Sequence, residues 1–125
     1  MNYKEKIGTA ENPLVLKTPP LSSEYTMHVA EKDGNEILVC TVGKTILHYD
    51  MRCIEDLYDM LKTHDDWMLL GSKDEKMETK PNTVEHWGRS LDNPIGGWYG
   101  LKINFRGRFG LDIPPLLEHL GLSEL

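Results

Sequence analysis

Residues 25–62 read YTMHVAEKDGNEILVCTVGKTILHYDMRCIEDLYDMLK, and the pattern within this stretch determines the fold of the chain. Two alternating apolar runs, 25–31 and 36–42, flank Asp33-Gly34, and a third run follows at 45–49. Asp-Gly between alternating runs is a strong hairpin signal, because both central residues of a type I′ turn need a positive φ. The stretch therefore predicts an antiparallel meander of three strands.

The two faces of this meander differ in character. If both loops are two residues long, the second being Gly43-Lys44, the register is set and every second side chain falls on the same face. One face is almost wholly apolar: Tyr25, Met27, Val29, Leu38, Cys40, Val42, Thr45, Leu47 and Tyr49. The other face is half apolar, with His28 and His48 on either side of Val39, so we expect part of it to be covered.

A helix is predicted directly after the meander. Apolar residues recur at helical spacing from Met51 to Leu61, and Asp50 precedes them. This pattern predicts an amphipathic helix over 51–62 with Asp50 as its N-cap. Burying the apolar stripe against the sheet stabilises the unit by about 1.5–3 kcal/mol per large side chain.

The whole chain is predicted to be a small α+β protein with an antiparallel sheet. Its 125 residues, 39% of them apolar, are enough for one buried core. We predict a single α+β domain over 24–125, organised by the meander and helix at 25–62. Residues 1–23 are interrupted by Gly8, Pro13, Pro19 and Pro20 and are predicted to be a flexible N-terminal arm, either mobile or wrapped around the domain, in which only 14–16 could form an edge strand.

Further elements are predicted between the first helix and the C-terminus. They are a strand at 67–71, a solvated charged loop at 72–81, a short helix from Thr83 to about Arg89 capped by Asn82, a strand from Trp98 to Arg106, and a last short helix opened by Pro114-Pro115. Alternation in the second of these strands directs Tyr99, Leu101, Ile103 and Phe105 to the core.

Charge and hydropathy limit the classes of function. The net charge of −6 opposes general nucleic-acid binding, because that affinity comes mainly from Lys and Arg. No apolar run approaches the ~20 residues of a membrane-spanning helix, and residues 1–18 lack the continuous apolar stretch of a signal peptide. We therefore expect a cytoplasmic protein without a membrane partner. Cys40 and Cys53 have no metal-binding spacing and are predicted to be reduced core residues.

Positive charge is concentrated in one segment. Residues 86–110 contain four Lys and Arg and one Asp, a charge of +3, so the rest of the chain carries −9. A strand face with a tryptophan ring, an amide and cations suits a phosphate, a carboxylate or a base. The candidate binding residues are Arg89, Trp98, Lys102, Asn104, Arg106 and Arg108. In the competing interpretation the arginines bind internal carbonyls and carboxylates, and the tryptophans fill the core.

No residues assemble into a recognisable catalytic or metal site. His28 and His48 could reach one ion, but the local sequence supplies no third and fourth ligand for zinc. Ser90 lacks a nucleophile frame, and Glu85-His86 is a weak acid–base pair because adjacent helical residues diverge. We predict no cofactor, no metal and no catalytic residue; we favour a non-enzymatic protein and leave catalysis open.

Three motifs lie between Trp87 and Leu122: W-G-R-x-x-x-N-P-x-G-G-W-Y-G-L, R-G-R-F-G and P-P-L-L-E-x-L-G-L. In these motifs, which cover under a third of its length, the chain resembles small bacterial proteins of uncharacterised function. The resemblance implies a bacterial setting. It implies no activity, cofactor or site.

Three functions are kept open. The leading hypothesis is a non-enzymatic binding or interaction module that uses the 87–109 segment to contact an anionic small ligand, a nucleic acid or an acidic protein partner. One alternative is a small hydrolase or nuclease that uses His86 with Arg89 and Arg106. The other is a homodimeric accessory protein that pairs through its half-apolar sheet face.

Overall fold

The computed structural model describes residues 4–19 and 23–125 and confirms a small α+β fold with one antiparallel sheet. The strands are β1 (Leu14–Lys17), β2 (Glu24–Lys32), β3 (Asn35–Val42) and β4 (Thr45–Asp50), in the spatial order β1-β2-β3-β4. The helices are α1 (Lys4–Ile7), α2 (Cys53–His64), α3 (Val84–Trp87), α4 (Phe109–Asp112) and α5 (Pro114–His119). No helix in these ranges is long and apolar enough to cross a membrane.

The predicted meander and its register are confirmed. Met27 lies opposite Cys40, and Cys40 lies opposite Leu47, as two-residue loops require. Asp33 and Gly34 both have positive φ, 53° and 79°, which matches a type I′ turn. The apolar face of the sheet forms the core together with α2 and α5.

Helix α2 begins two residues later than predicted, at Cys53, and Asp50 is not its N-cap. Asp50 is still part of the sheet, because it ends β4 and lies opposite Ile37 of β3; its amide donates to the carbonyl oxygen of Tyr99 at 2.9 Å. Its carboxylate accepts a hydrogen bond from the Arg52 amide at 3.0 Å, in the turn that joins strand to helix. From Cys53 on, the helix buries the predicted stripe, including Ile54 and Leu57.

The half-apolar face of the sheet is partly shielded. Ile37 and Val39 are buried, whereas Ile46 is exposed. Residues 99–101 run along β4, where the Leu101 amide donates to the carbonyl oxygen of His48 at 2.8 Å. This is the face predicted for a homodimer. Of Ile37, Val39 and Ile46 at its centre, only Ile46 is exposed.

The predicted strand at 67–71 does not form. Among the described residues, its only sheet-like contact is an isolated parallel bridge between Leu69 and Thr83. The carbonyl oxygens of Leu69 and Leu70 instead accept hydrogen bonds from the amides of Val84 and Glu85, both at 2.9 Å. This segment serves the first turn of α3, whose amides need external acceptors.

The predicted strand at 98–106 is also wrong. Only Gly100 pairs with β4, because the chain then turns through Asn104, which has φ of 70°. Gly100 is required at the return of this turn, since a Cβ atom there would collide with the Arg106 carbonyl. Tyr99 is buried as predicted, but Leu101, Ile103 and Phe105 are exposed and not core residues.

The described part of the predicted arm, residues 1–23, contacts the sheet. Its predicted edge strand is confirmed as β1, which pairs with β2. Ile7 is fully buried, and the Gly8 carbonyl oxygen accepts a hydrogen bond from the Val29 amide at 3.2 Å. The arm thus includes residues that join the core; its residues 1–3 and 20–22 lie outside the described ranges.

The last two predicted helices are confirmed with adjusted limits. Helix α3 is shorter than predicted, and its N-cap is Thr83 instead of Asn82. The Thr83 hydroxyl accepts the hydrogen bond of the His86 amide at 3.1 Å, whereas Asn82 has a left-handed φ of 63°. Helix α5 opens on Pro114 and is followed by Gly121 with φ of 76°.

Candidate functional site

Arg89, the first cation of the 86–110 segment, is bound internally. Its guanidinium donates to the carbonyl oxygens of Lys73, Asp74, Glu75 and Met77 at 2.9–3.3 Å. It also pairs with the Glu85 carboxylate at 3.2 Å, and its side chain is only 10% exposed. For Arg89 the structure therefore agrees with the competing interpretation of an arginine that organises neighbouring backbone.

Glu85 is the buried counter-ion of Arg89. Its side chain has no exposed surface, and it accepts hydrogen bonds from the amides of Gly110 at 3.1 Å and Lys73 at 3.4 Å. Burial raises the pKa of Glu85, and the Gly110 amide and Arg89 oppose that shift. This carboxylate therefore joins three segments of chain.

The charged loop at 72–81 is not a freely solvated loop. The Glu75 carboxylate accepts hydrogen bonds from the amides of Asn104 at 2.9 Å and Arg106 at 2.8 Å. Asp74 pairs with Arg108 at 2.9 Å, and this hydrogen bond lowers the pKa of Asp74. Within this loop, Asp74 thus pairs with one cation of the 86–110 segment, and Glu75 binds its backbone.

The motif N-P-x-G-G also has an internal structural role. Asn93 is buried, and its side-chain amide donates to the carbonyl oxygens of Trp87 at 2.7 Å and Gly97 at 2.8 Å. Its side-chain oxygen accepts from the amides of Ile95, Gly96 and Gly97 at 2.9–3.2 Å. One side chain closes the whole turn, which explains why an asparagine precedes the proline and glycines.

Trp98 lies between two guanidinium groups. The guanidinium carbon of Arg89 is 4.4 Å from the centre of the indole, and that of Arg106 is 4.9 Å away. The Arg106 Nε is buried and, within the described ranges, has no hydrogen-bond partner. Stacking on the indole compensates in part for this group, because a cation is attracted to the face of an aromatic ring.

The turn beyond Trp98 presents an apolar and cationic surface. Leu101, Ile103 and Phe105 are 47%, 67% and 46% exposed. Lys102 lies over the Phe105 ring, with Nζ 5.4 Å from its centre, and makes no ion pair with the described residues. We call residues 101–106 the turn surface.

The six predicted binding residues do not share one strand face. Arg89, Trp98 and Arg106 are stacked together, whereas Arg108 pairs with Asp74 away from this stack. Lys102 and Asn104 lie in the turn. Of the six, only Lys102, Asn104 and Arg108 are exposed. The exposed apolar neighbours of Lys102, which are Leu101, Ile103 and Phe105, were not predicted as binding residues.

A second feature, which the sequence analysis missed, is a cavity of about 580 Å³ between α2 and α3. Its lining comprises Asp56, Asp59, Met60, Thr63, His64, Met68, Pro81, Asn82, Thr83, His86, Trp87, Ser90, Asp92 and Pro94. We call it the α2–α3 cavity. His86 lines it, whereas Arg89 and Arg106 do not and instead stack together on Trp98, so the three residues proposed for a hydrolase do not share one site. Helical spacing could have indicated Asp56, Met60 and Thr63 on one helix face, but not what faces them.

The described ranges contain no group of three His, Cys, Asp or Glu side chains placed to hold a metal ion. His28 and His48 do flank Val39 on adjacent strands, as predicted. Burial is the largest cause that lowers the pKa of His48, and the positive charges of the nearby Lys32 and Lys102 lower this pKa further. Both cysteines are unpaired and buried, and burial raises their thiol pKa values, which keeps the thiols protonated.

Fold and site together define a small α+β protein with an internally braced arginine, an exposed turn surface and a cavity between α2 and α3. The chain belongs to a family of unknown function, DUF6855, whose model matches residues 6–125. Comparison with curated proteins and with solved structures found no match.

Proposed function

We propose that this protein is a non-enzymatic interaction module, and that its turn surface binds an acidic, partly apolar segment of a partner protein. The observation that carries the proposal is the exposure of Leu101, Ile103 and Phe105 beside a cation, Lys102, that has no acidic partner among the described residues. Exposed apolar groups that cluster on one element are a common mark of protein interaction sites.

The turn is held in place before any partner binds. Glu75 binds two of its amides, those of Asn104 and Arg106, and Arg89 holds the carbonyl oxygen of Glu75. A braced turn loses little conformational entropy on binding, so more of the contact energy is available for affinity. This bracing supports recognition by the turn rather than a purely structural connection.

Charge favours an acidic partner. Lys102 and the stacked Arg106 flank the apolar side chains, and opposite charge on a partner would speed association and fix its orientation. A nucleic acid would make less use of the exposed aliphatic groups, and the net charge of −6 opposes it. We also propose a bacterial, cytoplasmic setting, which the two unpaired cysteines support.

The test uses an acidic amphipathic peptide in which Glu alternates with Leu and Phe, and a second peptide with Gln in place of every Glu. Binding is measured by calorimetry at several salt concentrations. We expect the acidic peptide to bind more tightly, and Lys102→Ala to weaken it about two- to fivefold and reduce its salt dependence. Ile103→Ser should weaken both peptides about tenfold.

The matched control is Lys62→Ala, which removes an exposed lysine from α2 and should leave binding unchanged. Equal binding of the parent, Lys102→Ala and Ile103→Ser would refute the proposal. Preferential binding of a thymidine oligonucleotide over the acidic peptide would also refute it, in favour of a nucleic-acid partner.

A further inference from the structure

We propose that the α2–α3 cavity is a binding site for a small organic ammonium compound with an apolar body. The cavity does not include the turn surface, so this site is independent of the function proposed above. Its size, shape and charge each support this class of ligand.

The volume and the walls suit a small molecule. Ligand sites typically measure about 300–1,000 Å³ and are mostly apolar with a few polar groups. This cavity measures about 580 Å³, and Met60, Met68 and Trp87 contribute to its walls. Trp87 is held rigidly, because it stacks on Tyr99 with ring centres 5.4 Å apart. Aromatic and thioether groups give an apolar body a favourable environment.

The charge of the lining is negative. Three carboxylates, those of Asp56, Asp59 and Asp92, line the cavity, and its described lining contains no Lys or Arg. Asp59 and Asp92 form no side-chain hydrogen bond or ion pair with the described residues. A ligand cation would therefore find uncompensated carboxylates.

Asp56 offers a fixed acceptor at the inner wall. One of its oxygens, Oδ2, accepts from the Tyr99 hydroxyl at 2.9 Å and from the Arg52 Nε at 3.2 Å. The other oxygen, Oδ1, has no hydrogen-bond partner in the ranges that the structure describes. The side chain is 13% exposed, so Oδ1 belongs to a largely buried and firmly held carboxylate that can accept an ammonium N–H.

The residues favour an organic cation over a metal ion. The lining includes no group of three ligands that could enclose a metal, as far as the described residues show. His64 Nε2 lies 3.3 Å from the Trp67 carbonyl oxygen and can only donate to it, so neutral His64 retains Nδ1 as an acceptor. Metal ions of the hard type prefer a full shell of oxygen ligands, which walls of Met and Trp do not provide.

The experiment compares three probes of similar size: 2-phenylethylammonium, 2-phenylethanol and 3-phenylpropanoate. Their affinities for the full chain are measured by calorimetry, and the binding site is located by amide chemical-shift changes. We expect the ammonium probe to bind about tenfold more tightly than the alcohol, and the carboxylate probe to bind weakest. Shift changes should centre on residues 56–64 and 86–92.

Two isosteric variants test the carboxylates. Asp59→Asn and Asp92→Asn remove charge from exposed side chains, and each should weaken the ammonium probe about two- to fivefold without altering the alcohol. The matched control is Glu31→Gln, which removes one negative charge from exposed β2 surface outside the cavity. It should leave all three affinities unchanged.

The proposal is overturned if the alcohol binds as well as the ammonium probe, or if the shift changes map outside the cavity. It is also overturned if Asp59→Asn and Asp92→Asn bind the ammonium probe like the parent, or if no binding occurs at millimolar concentration. Because Lys102→Ala leaves the cavity intact, loss of peptide binding in that variant leaves the ammonium affinity unchanged.

Discussion

Replacing Arg89 with alanine is expected to destabilise the protein strongly. The substitution leaves the buried Glu85 carboxylate without its counter-ion and removes the donor to four carbonyl oxygens. Breaking a buried pair by removing one partner costs about 3–5 kcal/mol. Small domains are stable by only about 5–15 kcal/mol, so a large share of the stability is lost.

The assay is urea unfolding of the parent and variants, followed by circular dichroism. Arg89→Lys should recover only part of the loss, because an ammonium group cannot match the fork geometry that reaches several carbonyls. The double variant Glu85→Gln with Arg89→Met leaves no unpaired charge. Its loss in free energy of unfolding should therefore be smaller than the sum of the losses in Glu85→Gln alone and Arg89→Met alone. The matched control is Arg52→Ala, in which the lost ion pair with Asp56 is largely exposed on the arginine side.

Two results would contradict this reasoning. The first is an Arg89→Ala variant that unfolds within about 1 kcal/mol of the parent, a loss typical of an exposed pair. The second is strict additivity in the double variant, because independent contributions would mean that Glu85 and Arg89 do not depend on one another.

Three further predictions follow from the same contacts. Burial raises the pKa of Asp112 from 3.8 to about 6, so its stabilising contribution is present below pH 4 and is lost as the pH rises through about 6. That loss is at most about 3 kcal/mol. Between pH 4 and 7, the free energy of unfolding measured in urea should fall less for Asp112→Asn than for the parent. Glu75→Ala should release the turn surface and increase the hydrogen-exchange rates of the Asn104 and Arg106 amides about tenfold. Unchanged exchange rates in this variant would show that these bonds do not brace the turn. Gly100→Ala should cost about 1–3 kcal/mol by thermal unfolding, because the added methyl group meets the Arg106 carbonyl; an unchanged midpoint of thermal unfolding would contradict this.

The meander was predictable because its signals are local. Asp33-Gly34 selects a turn type, and alternation selects the face, so no knowledge of distant residues is needed. The same rule failed at 98–106, where alternation continued but Gly100 and Asn104 bend the chain away from β4. Apolar alternation shows what could be buried, whereas burial also requires a neighbouring strand edge.

The site was only partly predictable, because its contacts join distant segments. The sequence placed Arg89 and Glu85 one helical turn apart, but Glu85 also binds the amides of Lys73 and Gly110. The α2–α3 cavity likewise depends on how two helices approach each other. Such arrangements follow from packing of the whole chain and leave no periodic signal in the sequence.

The contacts of Arg89 also bear on how this family can diverge. At residues 73, 74, 75 and 77 the arginine binds main-chain oxygens, which every amino acid supplies. Substitutions of the lysine and methionine side chains in this loop should therefore be tolerated, whereas a change in loop length would displace the oxygens. Relatives are expected to vary at the lysine and methionine positions of this loop while they keep its length and the arginine.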